Sequence, residues 1–372
     1  MPSKTLISLL SDQTLPNVLF ARELGPFNRH IFVSTDHTNS QRKPQALQET
    51  LGLAQAEVVR VVEDSPQDIQ QRLSGLSFSD DEEIIVNLTG GTKIMAIGVY
   101  NFFLRRNSRM FYIPFPKNNI VQVHPEMMQK ERPLAYRTSL EEYLQAYQIQ
   151  VEPRRFARKN AHFGPPALAE QLYLAQGKRP FRQAWQPLRG PEAQAMLRQS
   201  GRLPLAGPDG DRVAQNFRQL GYRPQTAGWI SAEEADYFAG QWLEVALYHR
   251  IRQALSLGDQ AIGLNIEINS DGTSAPQANN EFDVLFVHDN KLYVVECKTG
   301  VGTLQQFNEY VYKLGALRDL FGLGVKPVLF VQQPTRPERR HLYESRCKQL
   351  KINFLDGSAF AQPSSFVSSL LR

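Results

Sequence analysis

The sequence predicts an α/β protein built from two strand–helix units with a bridge between them. Three observations predict it. Apolar runs alternate with amphipathic segments over the first 125 residues, a second alternation follows residue 231, and the composition changes in between. Strand–helix alternation with buried apolar strands argues a mostly parallel, doubly wound sheet. At 372 residues there is room for two or three domains of roughly 100–200 residues each. The expected boundaries are 1–150, 151–230 and 231–372.

In the first unit "TLISLL", "HIFVST", "AEVVRVVE", "EIIVNLT" and "MFYIPF" are rich in Val, Ile and Phe and predict strands. Between them "QALQETLGL", "PQDIQQRLSGL" and "KIMAIGVYNFFLRR" have helical spacing. Residues 151–230 hold nine of the 23 prolines, with 13 Lys and Arg against 5 Asp and Glu. That stretch predicts short helices and loops bridging the two units. Its basic surplus suits a phosphate-bearing partner, or simply a solvated surface. The second unit opens at Ser231, where Glu234 three residues on completes a capping box for a helix through "DYFAGQWLEVALYHRIRQAL". Strand-like "AIGLNIEI", "EFDVLFVH" and "KLYVVECK" follow, then a helix from Thr303, the strand "KPVLFVQ", a further helix and "KINFLD".

With 42% hydrophobic and 21% charged residues the composition is that of a globular protein. No apolar run approaches the roughly 20 residues of a membrane span, and the start "MPSKTLISLLSDQ" is broken too early for a secretory signal. Two cysteines, Cys297 and Cys347, build neither a disulfide framework nor a zinc quartet, and the seven histidines lack paired ligand spacing. The expectation is a reduced, cytoplasmic protein without membrane contact.

The stretch "NNEFDVLFVHDNKLYVVECKTG" places unusual residues on a hairpin. With Asp289-Asn290 as a two-residue turn, His288 faces Lys291, Asp283 lies opposite Glu296, and Glu281 opposite Lys298. Side chains alternate faces, so all four share one. Opposed carboxylates repel unless a divalent cation sits between them. Oxygen donors suit Mg²⁺ or Mn²⁺, and Lys298 is placed to hold or deprotonate a water, or to stabilise a pentacoordinate phosphate. A bare D…ExK string also occurs on ordinary exposed strands. The chemical reading is favoured by the register, by the apolar opposite face, and by Glu244. Glu244 falls in the helical stripe Tyr237, Gly240, Leu247, Tyr248, Ile251, where burial would demand a partner. Cys297 alternates to the core face. On the next helix Lys313 and Arg318 read as solvated residues or strand contacts.

At the other end, "NLTGGTK" joins a strand to a helix through Thr89-Gly90-Gly91-Thr92-Lys93. Paired glycines let backbone approach a ligand, and a helix N-terminus offers N–H groups and positive potential. The spacing is neither a P-loop nor a dinucleotide fingerprint, and a turn that merely needs glycine is the alternative. Ligands of open α/β sheets lie beyond the strands' carboxyl ends. The other two exits there carry Ser11, Asp12 and Gln13, and Ser34, Thr35 and Thr38. All three should share one rim.

The hairpin resembles the PD-(D/E)XK, restriction-endonuclease-like nucleases, a helix with Glu followed by a hairpin with Asp and Glu-X-Lys. Residue by residue this gives Glu244, Asp283, Glu296 and Lys298. Phe282 stands where the usual proline would be, and Glu281 lies outside the general motif. The rim and the "NLTGGTK" turn resemble the CARF domain, the Rossmann-like sensor of cyclic oligoadenylates in type III CRISPR defence. Together they are similar to the single-CARF, DUF1887-type ancillary nucleases. That resemblance implies a homodimer binding one cyclic tetra-adenylate across its two-fold axis. It implies cleavage of single-stranded DNA and RNA, with nicking of duplex DNA, supported by Mn²⁺ or Mg²⁺. Two other classes stay open: a ligand-sensing nucleic-acid-binding regulator without catalysis, and a constitutive repair or restriction nuclease. The aromatics Phe181, Trp185, Tyr222 and Trp229 are placed to stack bases or to pack a core.

Overall fold

The computed structural model describes residues 3–36, 42–127, 131–151, 164–175, 185–269, 280–333, 335–360 and 363–371. Among them two principal sheets are formed, as the α/β reading predicts.

The first has the order β3-β2-β1-β4-β5-β6-β7. Its strands are β1 (Lys4–Leu9), β2 (Arg29–Ser34), β3 (Glu57–Arg60), β4 (Glu83–Asn87), β5 (Ser108–Tyr112), β6 (Asn119–His124) and β7 (Glu131–Pro133). The first five pair in parallel, and the last two add an antiparallel edge. Helices Lys43–Leu51, Pro66–Ser74 and Lys93–Phe103 lie where sequence spacing puts them. Helix Leu15–Leu24 escapes that spacing because residues Leu15 to Ala21 are all buried, so no polar face marks its period.

The second sheet has the order β15-β14-β13-β12-β11-β8. Its strands are β8 (Gln150–Val151), β11 (Ile262–Asn269), β12 (Asn280–His288), β13 (Lys291–Lys298), β14 (Lys326–Val331) and β15 (Asn353–Asp356). The capping boxes at Ser231/Glu234 and at Thr303/Gln306 both form. β8 follows helix Leu140–Ala146 directly, so residues beside the expected 150/151 boundary join the second sheet.

The two faces of this sheet meet different neighbours. On one, Leu285, Val287, Leu292 and Val294 share a core with Leu6, Phe20, Phe111, Tyr143 and Leu144 of the first unit. On the other, Val284, Phe286, Tyr293 and Val295 pack under helix Trp242–Ala254. That same core takes Leu168, Leu172, Trp185, Leu188, Val213 and Phe217. They come from the helices Pro166–Ala175 and Gly207–Gln219 and from the turn Gln186–Arg189 with the residue before it. The described part of 151–230 is thus layered onto the second unit, its ribbon β9 (Arg202–Pro204) and β10 (Trp229–Ser231) included. Of the four aromatics, Trp185 stacks on Phe238 inside this core. Tyr222 packs on Phe217 and donates to Glu234, Trp229 lies under the Arg202 guanidinium, and Phe181 is outside the described residues.

No helix among the described residues is long and apolar enough to cross a membrane. Both cysteines are free and buried.

Candidate active site and ligand rim

The hairpin forms in the predicted register, from His288↔Lys291 to Val284↔Val295. Asp289 and Asn290 both take left-handed backbone, φ 49° and 58°, as a tight two-residue turn requires. Asn290 also does something no turn rule foresees. Its side chain accepts from Thr138 N–H (2.9 Å) and donates to Asn118 Oδ1 (2.6 Å) and the Tyr136 carbonyl (3.0 Å), tying the turn to the first unit.

Past Val284 the ladder changes. Asn265, on β11 opposite Asp283, has φ 52°. Leu264 and Val284 pack under helix Trp242–Ala254, whereas Ile266 and Phe282, two residues along, pack in the other core. Side chains two apart normally share a face, so both strands rotate at this point. Asp283 turns with them, and its Oδ2 accepts the Cys297 N–H at 2.6 Å. Glu281 is exposed and lies opposite Glu267 on β11; the expected pairs Asp283–Glu296 and Glu281–Lys298 are not among the ladder pairs of β12 and β13, which end at Val284↔Val295.

Glu296 is the centre of the charged group, its side chain 5% exposed. Lys298 Nζ lies 2.7 Å from its Oε1 and 4.0 Å from Asp283 Oδ2. Lys313, from helix Leu304–Gly315, lies 3.2 Å from Oε2 and 3.4 Å from Oε1. Tyr310, one turn before Lys313, sits under the Lys298 ammonium at 5.0 Å. Tyr310 is a neighbour that sequence reasoning did not single out, although its i, i+3 spacing to Lys313 places both on one helix face.

Glu244 reaches the same group from helix Trp242–Ala254. The helix does not run straight into it, because Tyr237–Gln241 forms a π turn. A π turn inserts a residue and re-phases the helix beyond it, and the Arg189 guanidinium donates to the Ala239 carbonyl within it. Burial, then the charges of Asp283 and Glu281, push Glu244 up to about 8. Burial, then Glu296, push Asp283 to about 7. Burial alone would lower Lys298, but Asp283 and Glu296 outweigh it and hold the ammonium charged well above its usual range. The Cys297 thiol is driven far up by burial and nearby carboxylates, as befits a core residue. Among the described residues no three His, Cys, Asp or Glu side chains stand together as metal ligands; Glu296 faces two ammonium groups and Asp283 a backbone N–H.

The rim is equally definite. β2, β1 and β4 are neighbours, so the three polar exits adjoin, at the reversal of strand order between β1 and β4. A Cβ on Gly90 would lie 2.1 Å from the Leu9 carbonyl, and Gly91 has φ 71°, so the turn needs both glycines. Thr92 caps the helix, accepting from Met95 N–H (3.2 Å) and donating to the Glu63 carbonyl (2.9 Å). Thr89 donates to Asn87 and accepts from Ile113 N–H. Lys93 is exposed at the helix start. Ser11 Oγ accepts from Gln13 N–H, and Asp12, 87% exposed, pairs with Lys43 at 2.5 Å. Ser34 is buried, with no hydrogen-bond partner for its Oγ among the described residues. Thr35 uses its carbonyl to hold Arg60. Thr38 lies outside the described residues. Gln13 turns away from the rim: its Oε1 accepts from Tyr147 O–H (3.2 Å) and from Leu323 N–H (2.9 Å) of the second unit.

A Rossmann-like sensor fold and a hairpin-borne acidic group in one chain define the class of CARF-domain nucleases. The family models agree: that for the Card1 CARF domain matches residues 5–143, and that for the Card1-like endonuclease domain matches 232–358. The chain belongs to this Card1-type family of CRISPR-associated ancillary nucleases. No curated protein matches it. Two solved structures share its fold almost end to end. Protein VC1899 from Vibrio cholerae is 18% identical, with TM-score 0.78 over 98% of this chain and 97% of that one. Can2 from Sulfobacillus thermosulfidooxidans, in complex with cyclic tetra-adenylate, is 22% identical, with TM-score 0.72 over 99% and 98%. A type III CRISPR defence DNA nuclease activated by cyclic oligoadenylate covers 91% of this chain with 47% of its own, at 15% identity and TM-score 0.56.

Proposed function

We propose that the protein is a nuclease of type III CRISPR defence, acting in the cytoplasm and switched on by cyclic tetra-adenylate at the rim of Ser11–Gln13, Ser34, Thr35, Thr38 and Thr89–Lys93. Its substrate is single-stranded DNA or RNA or both, with nicking of duplex DNA as a further activity to be tested, and its metal is Mn²⁺ or Mg²⁺. The observation that carries this reading is the charged group itself: Lys298 lies 2.7 Å from the buried Glu296 and 4.0 Å from Asp283, and the half-buried Glu244 and Asp283 are raised towards neutral pH beside it. Such groups gather where chemistry requires them.

The donors this reading assigns to a hard divalent cation are not gathered as a ligand group among the described residues, so the fit rests on their chemistry. Glu244, Asp283 and Glu296 offer oxygens only, and positive charge relieves their repulsion. A bound cation supplies Lewis-acid polarisation of the phosphodiester and a more acidic attacking water. Lys298, held charged, supplies electrostatic stabilisation of the developing phosphorane charge rather than proton abstraction.

The switch is supported by Gln13. It sits in the rim loop, yet holds Leu323, in the turn after the short helix that follows Lys313. A ligand that repositions the rim loop therefore acts on the segment beside the charged group. A homodimer is supported by helix Lys93–Phe103, which begins at the rim and exposes Ile94 and Ile97 (56%), with Leu104 just beyond its end. A self-complementary patch beside the ligand suits a symmetric cyclic ligand on a two-fold axis.

The test is incubation of the purified protein with Mn²⁺ and labelled single-stranded DNA and RNA, with and without cyclic tetra-adenylate. Cleavage only with the ligand is expected. Cleavage without it leaves the nuclease and removes the switch; no cleavage in either condition makes the protein a regulator.

A further inference from the structure

Glu296 is met by two ammonium groups, Lys298 at 2.7 Å and Lys313 at 3.2 and 3.4 Å. The two are not held alike. Lys298 also approaches Asp283 at 4.0 Å and lies over the Tyr310 ring. Lys313 straddles both Glu296 oxygens, and its side chain is 42% exposed. Its backbone is fixed. The helix Leu304–Gly315 starts at the Thr303/Gln306 capping box and buries Phe307, Val311 and Leu314. Only the four-carbon stem and its charged head are free to redirect.

Glu296 cannot serve a divalent cation and two ammonium groups at once. The more exposed ammonium is the one to leave, and it needs another anion within reach of its stem. The backbone of the strand being cut is the anion that arrives there.

We infer that Lys313 is a substrate-contacting residue that rests on Glu296 in the metal-free protein and transfers to a phosphate oxygen of the bound single strand. The inference rests on reading Glu296 as a metal ligand. It assigns Lys313 two opposed effects, competition with the metal and attraction of the strand, which a merely structural lysine would not combine.

Lys313→Met keeps the stem and removes the charge. Two measurements are made on the full-length protein: Mn²⁺ binding by calorimetry without nucleic acid, and binding of a labelled oligothymidylate by fluorescence anisotropy across a salt series, with Ca²⁺ in place of Mn²⁺ so that an oxygen-seeking cation is present. The expected result is about 3- to 10-fold tighter Mn²⁺ binding together with weaker oligonucleotide binding. The slope of log K against log salt should shrink by about 0.7, the share of one single-strand phosphate contact. Lys313→Arg should restore the slope. An unchanged Mn²⁺ affinity or an unchanged slope overturns the inference. Glu296→Gln separates the two levels. If it leaves Mn²⁺ binding intact, the reading of Glu296 fails and this inference with it. If it abolishes Mn²⁺ binding while Lys313→Met changes nothing, the inference alone fails.

Discussion

The ligand rim and the acidic hairpin are built on opposite principles. At the rim most polar groups with a described partner are satisfied in their own turn or by neighbouring elements of the first unit. Thr92 caps a helix, Thr89 braces Asn87 and Ile113, and Gly90 lets two backbones touch. The groups left to offer a ligand are backbone N–H, the exposed Asp12 and Lys93, and the buried Ser34 hydroxyl. At the hairpin, charges are crowded: Glu244 and Asp283 are raised by burial and by each other's neighbourhood, and Glu296 holds two cations. The proposed sensing surface is thus preformed and electrostatically quiet, whereas the proposed reacting surface crowds carboxylates whose repulsion a bound cation would relieve.

That contrast can be broken most sharply by Asp283→Asn. Cleavage should fall by roughly a hundredfold or more, the scale of losing one preorganised electrostatic group. Binding of cyclic tetra-adenylate, measured by calorimetry, should not change. Cleavage that survives would remove the hairpin from the chemistry.

A smaller effect, of opposite sign in the two regions, is expected in stability. Glu244 has its folded value raised to about 8, so its cost is absent below the ordinary Glu value of 4.5 and grows as pH rises towards 8. Glu244→Gln should therefore stabilise the metal-free protein at pH 8.5 by on the order of 1–3 kcal/mol, with cleavage lost. Glu23 in the first unit behaves in reverse. Burial pushes it up, but Arg132 and the Tyr136 and Ala135 N–H groups outweigh this and hold it below 4.5. Its contribution is complete above that value and is lost as pH falls through the folded one. Urea denaturation of Glu23→Gln in EDTA should show a deficit at pH 7 that disappears towards pH 3. Equal pH slopes for the two variants would erase the contrast.

Gly91→Val tests whether the rim is preformed. A left-handed position costs a β-branched residue roughly 1–2 kcal/mol. About tenfold more cyclic tetra-adenylate should then be needed for half-maximal cleavage, with the rate at saturation unchanged. The smallest effect belongs to Gln13→Ala, which removes hydrogen bonds worth about 1 kcal/mol each. Ligand binding should persist while the ratio of activated to basal cleavage falls several-fold. An unaltered ratio would mean that the rim and Leu323 are not coupled.

Both regions were legible in the sequence to the extent that their geometry is local. The hairpin register follows from a two-residue turn and simple alternation, and the rim follows from which strands end beside which. The features that could not be read depend on partners distant in the chain. The π turn at Tyr237–Gln241 has ordinary helical composition and takes its Arg189 contact from 50 residues away. The rotation at Asn265 and Asp283 shows only where two strands meet. Lys313 reads as a solvated helix residue until Glu296 is placed beneath it. The helices of 151–230 carry too few regular apolar positions to announce which face they cover, and the seven-residue buried run of helix Leu15–Leu24 hides its own period.

The continuous core between the two sheets has a consequence for recombination of such proteins. Leu6, Phe20 and Phe111 share it with Phe282, Phe307 and Phe321, and a Cβ on Gly322 would lie 2.5 Å from the Tyr147 ring. The sensor is therefore not a cassette that can be exchanged by cutting at a linker. A graft would have to carry Leu140–Val151 and Leu317–Val325 as one matched set, and inheritance of new sensors by this enzyme is constrained by the same seam.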